Sequence, residues 1–156
     1  MPEGARIAAP YWYETKLTSI NQKFVEIYVQ EFGFPPSYEA ERAYTAVRLF
    51  QMAATKAGGT DKEALVYALE RIQVQDDALP SGAFTMSPED HQGRFSILWG
   101  RVSKQMRAVG PRSRHIMRSL VDIRILSPDD LGFTAWRMQG QVVRPAQRAR
   151  ESVASL

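Results

Sequence analysis

Apolar residues recur at helical spacing over the first half of the chain and alternate at strand spacing through much of the rest. Between Ser19 and Phe32, the side chains Phe24, Ile27, Tyr28 and Phe32 fall on one face of a helix. Ser19 with Gln22 forms a capping box at its start, and Gly33 supplies a left-handed stop. Pro35-Pro36 then forces an extended connection, and Ser37 caps a second helix over roughly 38–57. Ala40, Ala43, Tyr44, Val47, Ala54 and Ala57 give that helix an inward face of small side chains, with Arg42, Arg48 and Lys56 on its wet side. Gly58-Gly59 ends it. Thr60 and Glu63 predict a capping box for a third helix, whose Leu65, Ala68, Leu69 and Ile72 face inward.

Strands frame these helices. Ala5-Arg6-Ile7-Ala8-Ala9 reads as a short buried strand ended by Pro10. Tyr11-Trp12-Tyr13 follows at once, which suits either the lip of a cleft or aromatic packing under a loop. Beyond residue 73, Ala83–Met86 reads as a strand and Pro88–Gly93 as a turn. Phe95 to Val102 predicts a strand with Phe95, Ile97 and Trp99 on one face. Leu120 to Leu126 alternates again, with Val121, Ile123 and Ile125 opposite Asp122 and Arg124. Past Gly132 the chain is rich in Arg and Gln without a clear stripe.

Composition places the 156 residues, 44% apolar and 24% charged, among globular domains. No apolar run approaches the roughly 20 residues that span a bilayer. Met1-Pro2-Glu3-Gly4 shows neither the basic start nor the apolar stretch of a secretory signal. The absence of cysteine excludes disulfides and thiolate metal sites. Charge is uneven: residues 1–92 hold 8 Lys/Arg against 13 Asp/Glu, whereas residues 93–156 hold 12 against 4. A basic second half is either a footprint for nucleic acid or anionic lipid, or a solvated face or out-of-place tail. Its arginines are scattered and no interleaved aromatics accompany them, so nucleic acid is not the expected partner.

Five short motifs in order carry a resemblance. Glu3-Gly4 precedes a strand ending in Pro10, and Asn21-Gln22-Lys23-Phe24 opens a helix. Ala43-Tyr44-Thr45-Ala46-Val47 lies on the next helix, and Gly59-Thr60-Asp61 opens the third. Pro80-Ser81-Gly82 leads to the turn Asp90-His91-Gln92. This order resembles the C-terminal part of the type 1 periplasmic binding proteins, the branched-chain amino acid and amide receptors of ABC importers. The similar stretch runs from Glu3 to about Lys104, and 120–130 looks like the strand and acidic turn before the family's C-terminus. The resemblance implies a partial α/β fold: three helices up to about residue 72, then mainly strands, with incomplete central sheets. Residues 1–131 would hold pieces of both lobes, and 132–156 a basic peripheral tail. Strand 5–9 and the return from Phe95 to Val102 would belong to the second lobe, with Tyr11–Lys16 as a hinge crossing. Helices shaped to cover a larger sheet would then expose part of their apolar faces.

The resemblance implies a solute-binding component of an ABC importer in the periplasm. It would bind an amino acid or related amide between two lobes without catalysis or cofactor, and would have an ABC permease as partner. The alternative is a free-standing interaction module whose basic second half binds nucleic acid or an acidic partner. The family's motif places a pocket-lining residue five positions before the helix tyrosine Tyr44, which gives Glu39. A carboxylate there suits either a ligand ammonium or the positive end of the helix. Tyr38 beside it, and Tyr11 and Tyr13 at the crossing, are the aromatic candidates. His91 and His115 lack the partners of a metal set, so His91 is expected to serve its turn. Asp76-Asp77 and Asp129-Asp130 read as solvated acids in turns. No nucleophile elbow and no phosphate-cradling loop is present, so no metal site and no enzyme are expected.

Overall fold

The computed structural model describes residues 2–15, 18–75, 78–108 and 116–127. Within them lie β1 (Arg6–Ala9), α1 (Ser19–Phe32), α2 (Tyr38–Ala57), α3 (Lys62–Glu70), β2 (Gln73–Val74), β3 (Phe84–Met86), β4 (Gly93–Phe95), β5 (Ile97–Ala108) and β6 (Ile116–Leu126). The class is α/β, with three helices and two open three-stranded antiparallel sheets, ordered β1-β5-β6 and β2-β3-β4. The chain leaves the first sheet after Ala9, builds the helices and the second sheet, and returns through Ser96. The chain therefore exits the first sheet through 10–15, towards α1, and re-enters it through Ser96.

The helix bounds match the periodicity, but two caps move by one residue. Thr18, not Ser19, caps α1: its Oγ1 accepts the Asn21 N–H at 2.9 Å and donates to the Leu79 carbonyl at 3.2 Å. Asp61, not Thr60, caps α3, accepting the Ala64 N–H at 3.0 Å. Ser37 caps α2 as expected, and Gly33 and Gly58 adopt φ 79° and 73° at the two helix ends. Asp61→Ala should accordingly lower stability by about 1 kcal/mol. Thr60→Ala should stay within about 0.5 kcal/mol of the parent. Urea midpoints of both variants check the assignment.

The buried face of α2 is only partly the predicted one: Ala54 and Ala57 pack against the α3 cluster, but Ala43 and Val47 do not turn inward. Glu41, Thr45, Leu49 and Ala53 point inward, whereas Val47 is 69% exposed. Arg42, expected to be wet, is largely covered, and Arg48 is half-buried. The physical reason is that α2 has apolar side chains on two sides, and the described chain covers the side bearing Leu49. That side meets α3 through Ala53, Leu65 and Ala68. It meets the second sheet through Leu49, Ile72, Val74, Leu79 and Phe84.

The strands also differ in detail. β1 is a half-buried edge strand with Arg6 and Ala8 exposed, because only β5 pairs with it. The predicted strand from Phe95 splits at Ser96, so Phe95 joins β4 and packs in the second sheet. In β5 the inward residues are Leu98, Gly100 and Val102, while Trp99 is 40% exposed. The alternation of 120–126 is broken at Asp122, whose φ of 55° accompanies a register shift opposite Trp99–Arg101. Leu120 is the buried residue there, and Ile125 is exposed.

Candidate ligand-binding site

The segment linking β1 to α1 is short, aromatic and tied at both ends. The Tyr11 hydroxyl donates to Asn21 Oδ1 at 2.8 Å, and Asn21 Nδ2 donates to the Thr15 carbonyl at 2.7 Å. Asn21 is the one buried residue of α1. On the other side, Trp12 Nε1 donates to Glu14 Oε2 at 3.1 Å, and Glu14 Oε1 accepts the Ser119 hydroxyl of β6 at 3.2 Å. The crossing is thus held to α1 on one flank and to the first sheet on the other. Burial, followed by the nearby Glu41 carboxylate, pushes the Tyr11 phenol well above its ordinary pKa, so the ring stays neutral.

This crossing forms one wall of a cavity of about 440 Å³. Ile7 and Ala9 of β1, Tyr11, Trp12 and Tyr13 of the crossing, and the run from Phe34 to Tyr38 line it. Its size suits a small-molecule site, and its aromatic and proline lining suits an apolar group held by contact and stacking. The Trp12 and Tyr13 rings lie 5.3 Å apart, tilted by 36°. The extended Pro35-Pro36 segment, which cannot be helical, leads to Tyr38, which lines the same cavity as the crossing tyrosines.

Tyr11, Tyr13 and Tyr38 therefore share one cavity. Glu39 stands outside the lining, exposed in the first turn of α2, where the Ser37 hydroxyl holds its carboxyl below the usual range. The same carboxylate raises the Tyr38 phenol. Trp12, Phe34 and Pro35 are lining residues that sequence reasoning left out; the run of aromatics around Tyr11 and Tyr13 was the signal for Trp12. His91 sits in its turn at φ 56°, with its N–H donating to the Ser87 carbonyl and its ring 3.1 Å from Glu70. Among the described residues no cluster of His, Asp and Glu could hold a metal. His115, Asp76-Asp77, Asp129-Asp130 and the 132–156 tail lie outside the described residues. Of the described basic groups in the second half, Arg101 pairs with Asp122 at 2.7 Å and Lys104 with Glu3 at 3.6 Å.

The sequence profile of the periplasmic binding protein family matches residues 3–106. The chain belongs to that family. Among solved structures it is similar to an ABC-type branched-chain amino acid transporter protein of Rhodopseudomonas palustris, at 26% identity and a TM-score of 0.68, with 82% of this chain and 32% of that one covered. It is similar in fold to a leucine-, isoleucine-, valine-, threonine- and alanine-binding protein of Brucella ovis: 23% identity, TM-score 0.65, covering 82% and 32%. It is likewise similar to a solute-binding protein of an ABC transporter of R. palustris, solved with 3,4-dihydroxybenzoic acid: 23% identity, TM-score 0.64, covering 85% and 33%. No curated protein sequence matches. The chain spans about a third of the length of these structures, and its three helices and small sheets are a partial type 1 periplasmic-binding-protein fold. Among the described residues no helix is long and apolar enough to cross a membrane.

Proposed function

We propose that this chain is part of the solute-binding component of an ABC importer, working outside the cytoplasm and delivering its ligand to a permease. It binds an amino acid or related amide reversibly, without catalysis, between two lobes to which the two sheets belong. The observation that carries this reading is the aromatic cavity between β1, the 10–15 crossing and the start of α2, in a chain of this family. Tyr11, Tyr13 and Tyr38 take the apolar part of the ligand there, with Trp12 beside them. Glu39 serves the positive start of α2 in this reading.

Trp12 provides the test. Titration with L-leucine, and in parallel with 4-hydroxybenzoate, should give a saturable change in tryptophan fluorescence with the amino acid as the tighter ligand. Trp12→Phe should remove most of that signal, and Tyr38→Ala should weaken binding about tenfold, the loss of roughly one aromatic contact. Tighter binding of the aromatic acid would move the ligand class. Unchanged affinity in Trp12→Ala and Tyr38→Ala would place the site elsewhere.

A further inference from the structure

We propose that Glu14 is a positioning residue for the aromatic cavity: it fixes the Trp12 indole in the cavity wall and ties that wall to β6 through Ser119. The inference rests on the reading that this cavity takes ligand. Its basis is a division between neighbouring rings. Tyr11 and Trp12 are adjacent in the chain and both line the cavity. Tyr11 is buried, and its hydroxyl donates to Asn21 of α1 at 2.8 Å, so that ring is held from the helical side. Trp12 is only half-buried, and its indole N–H donates to Glu14 Oε2 at 3.1 Å. The other oxygen of the same carboxylate accepts the Ser119 hydroxyl at 3.2 Å. One wall of the cavity therefore has two anchors, one in α1 and one in the first sheet.

The second anchor is a firm one. The chain leaves the first sheet from one edge strand, β1, and Glu14 meets that sheet again at the other edge strand, β6. Ser119 is 8% exposed, and its neighbour Leu120 is buried opposite Val102 of the central strand. The turn that brings Glu14 back to Trp12 is closed by the Thr15 N–H, which donates to the Trp12 carbonyl at 3.1 Å. A half-buried indole without a partner is free to turn about its side-chain torsions. Glu14 removes that freedom before ligand arrives, and such preorganisation raises affinity by lowering the cost of ordering the site. Neither Glu14 nor Ser119 lines the cavity, so their effect on ligand passes through Trp12.

The chain holds three tryptophans, and Trp99→Phe with Trp136→Phe leaves Trp12 as the single indole. In that background, without ligand, water exchange of the Trp12 indole N–H is followed by heteronuclear NMR. It should be at least about tenfold slower than in Glu14→Ala, the effect of one hydrogen bond to a charged acceptor. Calorimetric titration with L-leucine should give about tenfold weaker binding in Glu14→Ala and about threefold weaker binding in Ser119→Ala. Glu14→Gln should bind within about twofold of the parent, because its amide can serve both partners. Its oxygen accepts from the indole, and its NH2 group donates to the Ser119 hydroxyl, which accepts as readily as it donates. Melting temperatures of all three variants should stay within about 3 °C of the parent, so that the affinity changes do not reflect a loss of fold. Equal indole exchange in the parent and Glu14→Ala would overturn the proposal, whatever the ligand does. So would unchanged affinity in Glu14→Ala, or Glu14→Gln binding as weakly as Glu14→Ala, since charge rather than position would then be the cause. A parent that protects the indole yet binds neither L-leucine nor 4-hydroxybenzoate would sink the ligand reading while supporting the anchoring of Trp12 by Glu14.

Discussion

Replacing Phe84 by alanine should destabilise the chain by about 3–5 kcal/mol, the usual loss for a buried aromatic ring. Phe84 is 2% exposed and packs with Leu49, Ile72, Val74 and Leu79, so its ring joins α2 to the second sheet. Its partner ring, Phe95, lies 4.9 Å away on the neighbouring strand. The sequence makes room for this pair at Gly93: a Cβ there would sit 2.5 Å from Phe84 Cε2 and 3.2 Å from Phe95 Cε2. Domains of ordinary stability hold about 5–15 kcal/mol in total. A chain whose α1 and α2 faces remain wet belongs near the lower end, so this one change should remove most of its stability. Phe84→Leu, which keeps much of the volume, should cost less than about 1.5 kcal/mol. Urea unfolding followed by circular dichroism separates the outcomes. A Phe84→Ala midpoint indistinguishable from the parent would show that this cluster is not what holds the second sheet to α2.

Much of this architecture was readable because local rules and tertiary structure agree. Gly33 and Gly58 stop helices where left-handed backbone is needed, Ser37 caps where an extended residue meets a helix, and Pro35-Pro36 keeps its segment straight. Errors arose where a pattern had two solutions. Thr18 and Ser19, like Thr60 and Asp61, are adjacent cap-forming residues, and the choice fell to long-range contacts such as Thr18 with Leu79. In α2 the stripe through Ala43 and Val47 is as apolar as the one through Leu49 and Ala53. Periodicity alone does not say which side the rest of the chain occupies. Phe95 looked like the start of one long strand because alternation continues across Ser96, whereas the chain changes sheets there. The aromatic crossing drew notice as a run of three rings, and only the fold shows that the Phe34–Tyr38 segment closes on it. Asn21 read as part of a helix-start motif. Its work of holding Tyr11 and Thr15 depends on a turn that the spacing does not reveal.

Arg42→Ala should have the second large effect, about 3 kcal/mol, despite the residue's place on what looked like a wet helix face. Its guanidinium donates to the Pro10 carbonyl at 3.1 Å and lies 3.7 Å over the Phe95 ring. Arg42 therefore touches the chain both where it leaves the first sheet, at the crossing after β1, and where it returns, at the strand leading into Ser96. Beneath it, Glu41 is fully buried: Oε1 accepts the Thr45 hydroxyl at 2.7 Å, and Oε2 lies 3.6 Å from Arg42 Nη1 with no hydrogen bond of its own among the described residues. Burial pulls the Arg42 pKa down and the Glu41 charge pushes against that fall, so the carboxylate eases the desolvation of the cation. Removing the arginine leaves a buried carboxylate without its countercharge, which is costlier than losing the contacts alone. The cost should therefore shrink by about 1–2 kcal/mol when Arg42→Ala is made in a Glu41→Gln background, a coupling expected of neighbours in one buried network. Arg42→Lys should recover only part of the loss, since an ammonium lacks the planar face that rests on Phe95. An Arg42→Ala change below about 1 kcal/mol, the range of an exposed ion pair, would mean that the side chain spends its time in solvent and that the two connecting segments are held by Asn21 and Glu14 without it.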